Sequence, residues 1–186
     1  MENRNQIYDL NEQGILELWK RIHHLEQVRT DGLVERTDGI DLDAWLLTHI
    51  KQWYARLLET APVEWLPVED VINDVRMSID SEGVVVAQVP VQCVRPVEWK
   101  LAGWKRSVTH FVKAGTVEAE VQTCVWTRGA KENPAVVDCG NTLILYSLNS
   151  GERAILETAR CVVRPADGNY RFHNAALGTI RDWHLS

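Results

Sequence analysis

The side chains best able to do chemistry in this chain are six histidines and four cysteines. His23 and His24 are adjacent, so on a helix they point about 100° apart and do not converge on one metal ion. The remaining histidines, His49, His110, His173 and His184, stand alone in sequence. Cys93, Cys124, Cys139 and Cys161 are 31, 15 and 22 residues apart, and no CxxC pair exists. That spacing argues against a zinc knuckle and for small, reduced, buried thiols. A nucleophile and base pair can still be drawn from Cys124 or Cys93 with His110, because sequence distance does not fix contact. Carboxylate pairs occur at Asp41 and Asp43 and at Glu69 and Asp70. Both sit where helix starts are expected, and the helix dipole accounts for acids there without a catalytic role. No HExxH, GxSxG, phosphate-binding loop or GxGxxG is present. The expectation is therefore no catalytic residue, no metal ligand and no cofactor.

Binding chemistry is better represented. Tryptophan, at eight, outnumbers tyrosine at four and phenylalanine at two taken together. Trp19, Trp45 and Trp53 fall on apolar stripes of expected helices and belong to a core. His49 shares such a stripe and is read as packing. Trp65 lies in a proline-flanked segment, and Trp126 lies where no core period claims it. Large aromatics outside a core serve interfaces, because they bury much area with few rotatable bonds. A basic band runs through Arg95, Lys100, Lys105, Arg106 and Lys113, with Trp99 and Trp104 interleaved. Such a strand face is able to stack single-stranded nucleic acid.

The elements that must position these residues follow from periodicity. Residues 12–29 read as a helix capped by Asn11, with Ile15, Leu18, Trp19, Ile22 and Leu25 on one face. Residues 30–40 hold two Asp-Gly turns and read as a polar connector. A second helix runs from an Asp41 cap to about Thr60 and is stopped by Ala61-Pro62. A short third helix is expected over 67–75, with Pro67 in its first turn and Val68, Val71, Ile72 and Val75 inward. Beyond Val75 the texture turns β-branched. Strands are expected at Met77–Ile79, Val84–Val89, Val94–Leu101 with an edge or bulge at Pro96, Ser107–Val112, and Ile155–Val163. A hairpin is expected around Gly140-Asn141. Residues 113–134 read as a long excursion, and 172–183 as a short helix or tail. Helices followed by strands define an α+β chain with a mostly antiparallel β part.

Composition bounds the rest. The chain has 186 residues, 45% apolar and 25% charged, enough for a real core. No apolar run reaches the ~18 residues of a membrane span, and the polar start predicts no secretory signal. Net charge is −6. Residues 1–75 carry 7 basic and 15 acidic side chains, and residues 76–186 carry 13 and 11. The expected organisation is an acidic helical part, 1–75, and a near-neutral β-rich part, 76–186, in one compact subunit.

The middle of the chain resembles a known family. The run Val84-Val85-Val86-Ala87-Gln88-Val89-Pro90-Val91-Gln92-Cys93-Val94-Arg95-Pro96-Val97, followed by Leu101-Ala102-Gly103-Trp104-Lys105-Arg106-Ser107-Val108, is similar to the strand–proline–strand element of head-to-tail connector proteins. These are the adaptor or tail-tubular ring proteins of short-tailed bacteriophages, including crAss-like phages of gut Bacteroides. Thr127-Arg128-Gly129 before Asn133-Pro134-Ala135-Val136, and the strand ending in Leu145-Tyr146, also match. The likeness covers about residues 84–147. It departs where family members carry Asp and an aromatic after the proline, since Gln92 and Cys93 stand there. The resemblance implies a virion protein made in the host cytoplasm and placed at the head–tail junction. It implies homo-oligomeric rings, usually dodecamers, that contact the portal and the tail or nozzle proteins. Genomic DNA would pass through without sequence-specific binding, with no membrane partner and no bond chemistry. On this reading Trp104, Arg106, Trp126, Arg128 and Trp65 carry the contacts, with the 30–40 connector beside them. The competing reading is an α+β nucleic-acid- or ligand-binding module using the Trp99/Trp104 basic strand face.

Overall fold

A computed structural model describes residues 6–25, 41–149 and 151–185. The expected 30–40 connector and residues 26–29 of the expected first helix lie outside these; within them the helix stops earlier than expected, at Ile22, with His24 at a φ of 56°. The chain divides into two compact units, Met1–Pro67 with Pro165–Ser186, and Val68–Arg164. The sequence reading put the boundary at 75 and kept the C-terminal segment with the strands. The observed division differs because that segment forms a strand that pairs within the first unit.

In the first unit, strand β1 (Ile7–Asn11) leads directly into helix α1 (Glu12–Ile22), and α2 spans Leu42–Thr60. Both caps are as their sequences dictate. The Asn11 side chain accepts from Gly14 N, and Asp41 Oδ1 accepts from Asp43 N and Ala44 N. Helix α2 ends at Ala61, whose extended backbone precedes Pro62. The core is aromatic. Trp53 meets Trp19 edge-on at 5.7 Å and Phe172 edge-on at 5.3 Å. Tyr54 packs against Tyr170, and its hydroxyl both donates to Arg171 O and accepts from Arg171 N.

The second unit opens with a correction. The expected third helix does not form. Val68–Asp70 is strand β2, and a turn follows at 72–74, held in part by Asp70 Oδ1 accepting from Ile72 N. Val68 suits a strand, and pairing with β9 satisfies a backbone that a short helix would leave half open. Then come β3 (Arg76–Ile79), β4 (Val84–Gln88), β5 (Cys93–Leu101), β6 (Val112–Lys113), α3 (Val117–Val121), β7 (Ala135–Asp138), β8 (Thr142–Tyr146) and β9 (Leu156–Val163). They form one sheet in the order β2-β9-β5 and another in the order β3-β4-β8-β7-β6. Every pair is antiparallel except β6 with β7. The register of β5 shifts between Pro96 and Glu98, where a strand proline demands an irregularity. Both sheets feed one core, with Val85, Leu145, Trp99, Leu101, Ala159 and Cys161 among its members. Ser107–Val112 makes only a bridge, Val108 to Trp99, before the two-residue β6.

The chain returns to the first unit with β10 (Asn169–His173), antiparallel to β1, and the short helix α4 (Leu177–Arg181). The α+β class stands, with a strand ahead of the first helix and another behind the last sheet.

Candidate assembly interface

The excursion between β6 and β7 is braced at both ends. At its start the exposed Lys113 forms an ion pair with the buried Asp138, and Ala114 N donates to Asp138 O. Asp138 also accepts from Gly140 N at 2.8 Å. At its far end Arg128 Nη2 donates to Glu82 O at 2.8 Å. Gly129 N donates to Gln122 Oε1 at 2.8 Å. A Cβ on Gly129 would lie 2.6 Å from Ala135 N and 2.8 Å from Tyr146 O, so this crossing admits no side chain.

Between these anchors Thr116 caps α3 by accepting from Ala119 N. Ala119 faces the sheet and packs with Val137 and Tyr146, against which Val84, Val112 and Ile144 also lie. The opposite face is left bare. Val117 is 76% exposed, Val121 43%, Val125 56% and Trp126 93%. Val117 and Val121 are one turn apart and share a face of α3, and Val125 and Trp126 follow in the turns beyond the helix. Glu118 and Glu120 flank it, both exposed.

The sequence-derived contact residues therefore part company. Trp126 stands on the surface, one of the two placements, interface or core, that its sequence left open. Arg128 anchors the excursion, its side chain only 14% exposed beside Glu82. Trp104 is corrected: it is buried in the second unit, and its Nε1 donates to Ser147 Oγ. A ring held in the core cannot reach a partner. Trp65 is half-buried on a short 3-10 turn and lines a groove of about 410 Å³ with Trp53, Trp183, Arg56 and Asp182. Arg106 is exposed and lines a separate groove of about 290 Å³ with His110, Val108, Val112 and Pro134.

The basic band is not a free cationic face. Lys100 pairs with Glu157 at 2.8 Å, Lys105 with Glu132 at 3.4 Å, and Lys113 with Asp138. Burial lowers the pKa of Arg95. Trp99 is fully buried, like Trp104, so neither ring is open to stack a base. The thiols divide as well. Cys93 and Cys161 hydrogen-bond to each other, and that bond, with burial, drives the Cys93 thiol far above its ordinary range. Cys161 is lowered, chiefly by its interaction with Cys93, against the opposing effect of burial. Cys124 is exposed and lowered, chiefly by a hydrogen bond to the Trp126 backbone and then by Thr127. The hydrogen-bond partner of Cys93 is Cys161, and those of Cys124 are Trp126 and Thr127, rather than His110.

Among the described residues no cluster of three or more His, Cys, Asp or Glu side chains is placed to hold a metal. Among the same residues no helix is long and apolar enough to cross a membrane. The exposed valines were the part of the surface that sequence reasoning missed. Thr116 as a cap and the pair Val117 and Val121 one turn apart were the available signal, but the helix is only five residues long and charges stand on both sides of the pair.

Comparison of the chain with family models, with curated proteins and with solved structures returns no match.

Proposed function

We propose that this chain is a structural subunit of a bacteriophage head-to-tail connector. In this reading it binds its own copies, the portal and the next tail component, and borders the channel through which genomic DNA passes. The observation that carries the proposal is the Val117–Val121–Val125–Trp126 face, bare of any cover yet held on a braced excursion. Large apolar side chains grouped in one exposed segment are costly to leave in water, and proteins retain such groups where a partner covers them. Aromatic anchors on rigid supports lose little entropy on docking. The likeness of residues 84–147 to connector proteins supplies the kind of assembly, since such subunits work by contact alone.

The nucleic-acid module is the weaker reading, because the two rings it needs are buried and its cations are largely paired. The test of the connector reading is to purify the chain with and without the portal protein of the phage that encodes it. Mass measurement and negative-stain imaging should show rings that seat on the portal. A protein that stays monomeric at high concentration and ignores the portal overturns the reading.

A further inference from the structure

Two grooves of this molecule differ in what they can accept. The larger, in the first unit, carries Arg56 and Asp182 together, so it offers no net charge to an acidic visitor. The smaller, in the second unit, is walled by Val108, Val112 and Pro134 and carries Arg106 and His110 with no carboxylate among its lining residues. Arg106 is exposed, and among the described residues it has no ion-pair partner. The apolar face of α3 has the opposite character. Val117 and Val121 lie beside Glu118 and Glu120, which among the described residues also lack ion-pair partners, and the exposed Val125 and Trp126 follow in the turns after the helix. The nearby cations of the excursion, Lys113 and Arg128, are already neutralised by Asp138 and Glu82. One surface is thus an apolar ridge with two unpaired acids. The other is a groove with apolar walls, an unpaired guanidinium and an imidazole.

We propose that these two surfaces are mates: the α3 ridge of one copy docks on the Arg106 groove of a second copy of this chain. Trp126 enters between Val108, Val112 and Pro134, and Glu118 and Glu120 meet Arg106. The occupant is a second copy because the chain itself supplies both halves, matched in polarity and in sign. The groove, at about 290 Å³, has room for an indole. Opposite charges across such a contact fix its register, and like charges there disfavour it strongly. The pairing joins two unlike patches, which is the arrangement that closes a ring or extends a filament. This inference rests on the connector reading for the existence of self-assembly, and it adds which surfaces meet.

The experiment uses full-length protein and sedimentation velocity over a concentration series, in low and moderate salt. Arg106→Glu and the pair Glu118→Lys/Glu120→Lys are each expected to weaken self-association at least about tenfold, by placing like charges together. The chain carrying all three changes is expected to recover most of the lost association, and so is a mixture of the two variants. Trp126→Ala should weaken association without rescue by any charge change. These positions are exposed, so unchanged thermal melting separates a lost contact from a lost fold. Wild-type assembly that ignores every one of these changes overturns the pairing and leaves the connector reading standing. Self-association that follows the charge pattern but gives no complex with the portal keeps the pairing and removes the connector reading. A wild-type chain that never associates overturns both.

Discussion

Single residues of this protein fall into those that hold the fold and one that does not. Trp53 is buried, touches Trp19 and Phe172, and donates from Nε1 to Thr179 Oγ1 at 3.0 Å. Trp53→Ala is expected to destabilise the protein by about 3–5 kcal/mol in denaturant unfolding, the range for removing a buried aromatic. Trp126→Ala, at 93% exposure, should leave the unfolding midpoint unchanged within error. Tyr54 makes a pH prediction. Burial pushes its phenol up to about 12, opposed by the bond to Arg171. The unfolded phenol titrates near ~10, so the folded state favours the protonated form. That stability is complete below about pH 10 and is lost as pH rises through about 12. Tyr54→Phe should therefore be less stable at neutral pH and show a shallower alkaline decline in melting temperature.

Elements show which kinds of sequence signal carry structure. Asp41→Ala is expected to cost about 1 kcal/mol, because it removes the acceptor for two free N–H groups at the start of α2. Gly129→Ala should destabilise far more than Gly178→Ala, since the first Cβ collides with backbone and the second meets open space; urea midpoints of the two variants check this. The long helix α2 was legible almost to the residue. It has a cap, a sustained apolar face and a proline stop, three signals that agree. The hairpin at Gly140 was legible for the same reason, with alternating strands on either side of a turn. The segment 67–75 was misread because four apolar residues over one short stretch fit a helix and a strand equally well. Only the partner strand β9, far along the chain, decides between them. Strands β1 and β10 escaped notice for a related reason. Each is short and half polar, and each becomes a strand through the other. In the candidate site, the missing period around Trp126 left core and surface equally open, and the fold decides for the surface. Burial of Trp104 was not, because its partner Ser147 is remote in sequence.

For the whole molecule, the charge contrast drawn from the sequence becomes milder. The unit formed by Met1–Pro67 and Pro165–Ser186 holds 9 basic and 14 acidic residues, a net of −5. The unit Val68–Arg164 holds 11 and 12, a net of −1. Glu69, Asp70 and Asp74 belong with the strands and account for the change. Neither unit is cationic overall, and three lysines of the basic band are paired. Single-stranded DNA is expected to show no mobility shift with this protein at 150 mM salt, about the physiological level. A salt-sensitive shift that disappears in Arg106→Glu would contradict that expectation. All eight tryptophans lie within the described residues, and Trp126 alone is classed as exposed. That distribution makes the molecule its own optical reporter. Its emission combines a water-exposed indole at 126 with seven that are shielded in whole or part. Acrylamide should quench the first preferentially, and assembly should shift its emission to the blue and protect it. The union of two copies would then be visible without a label.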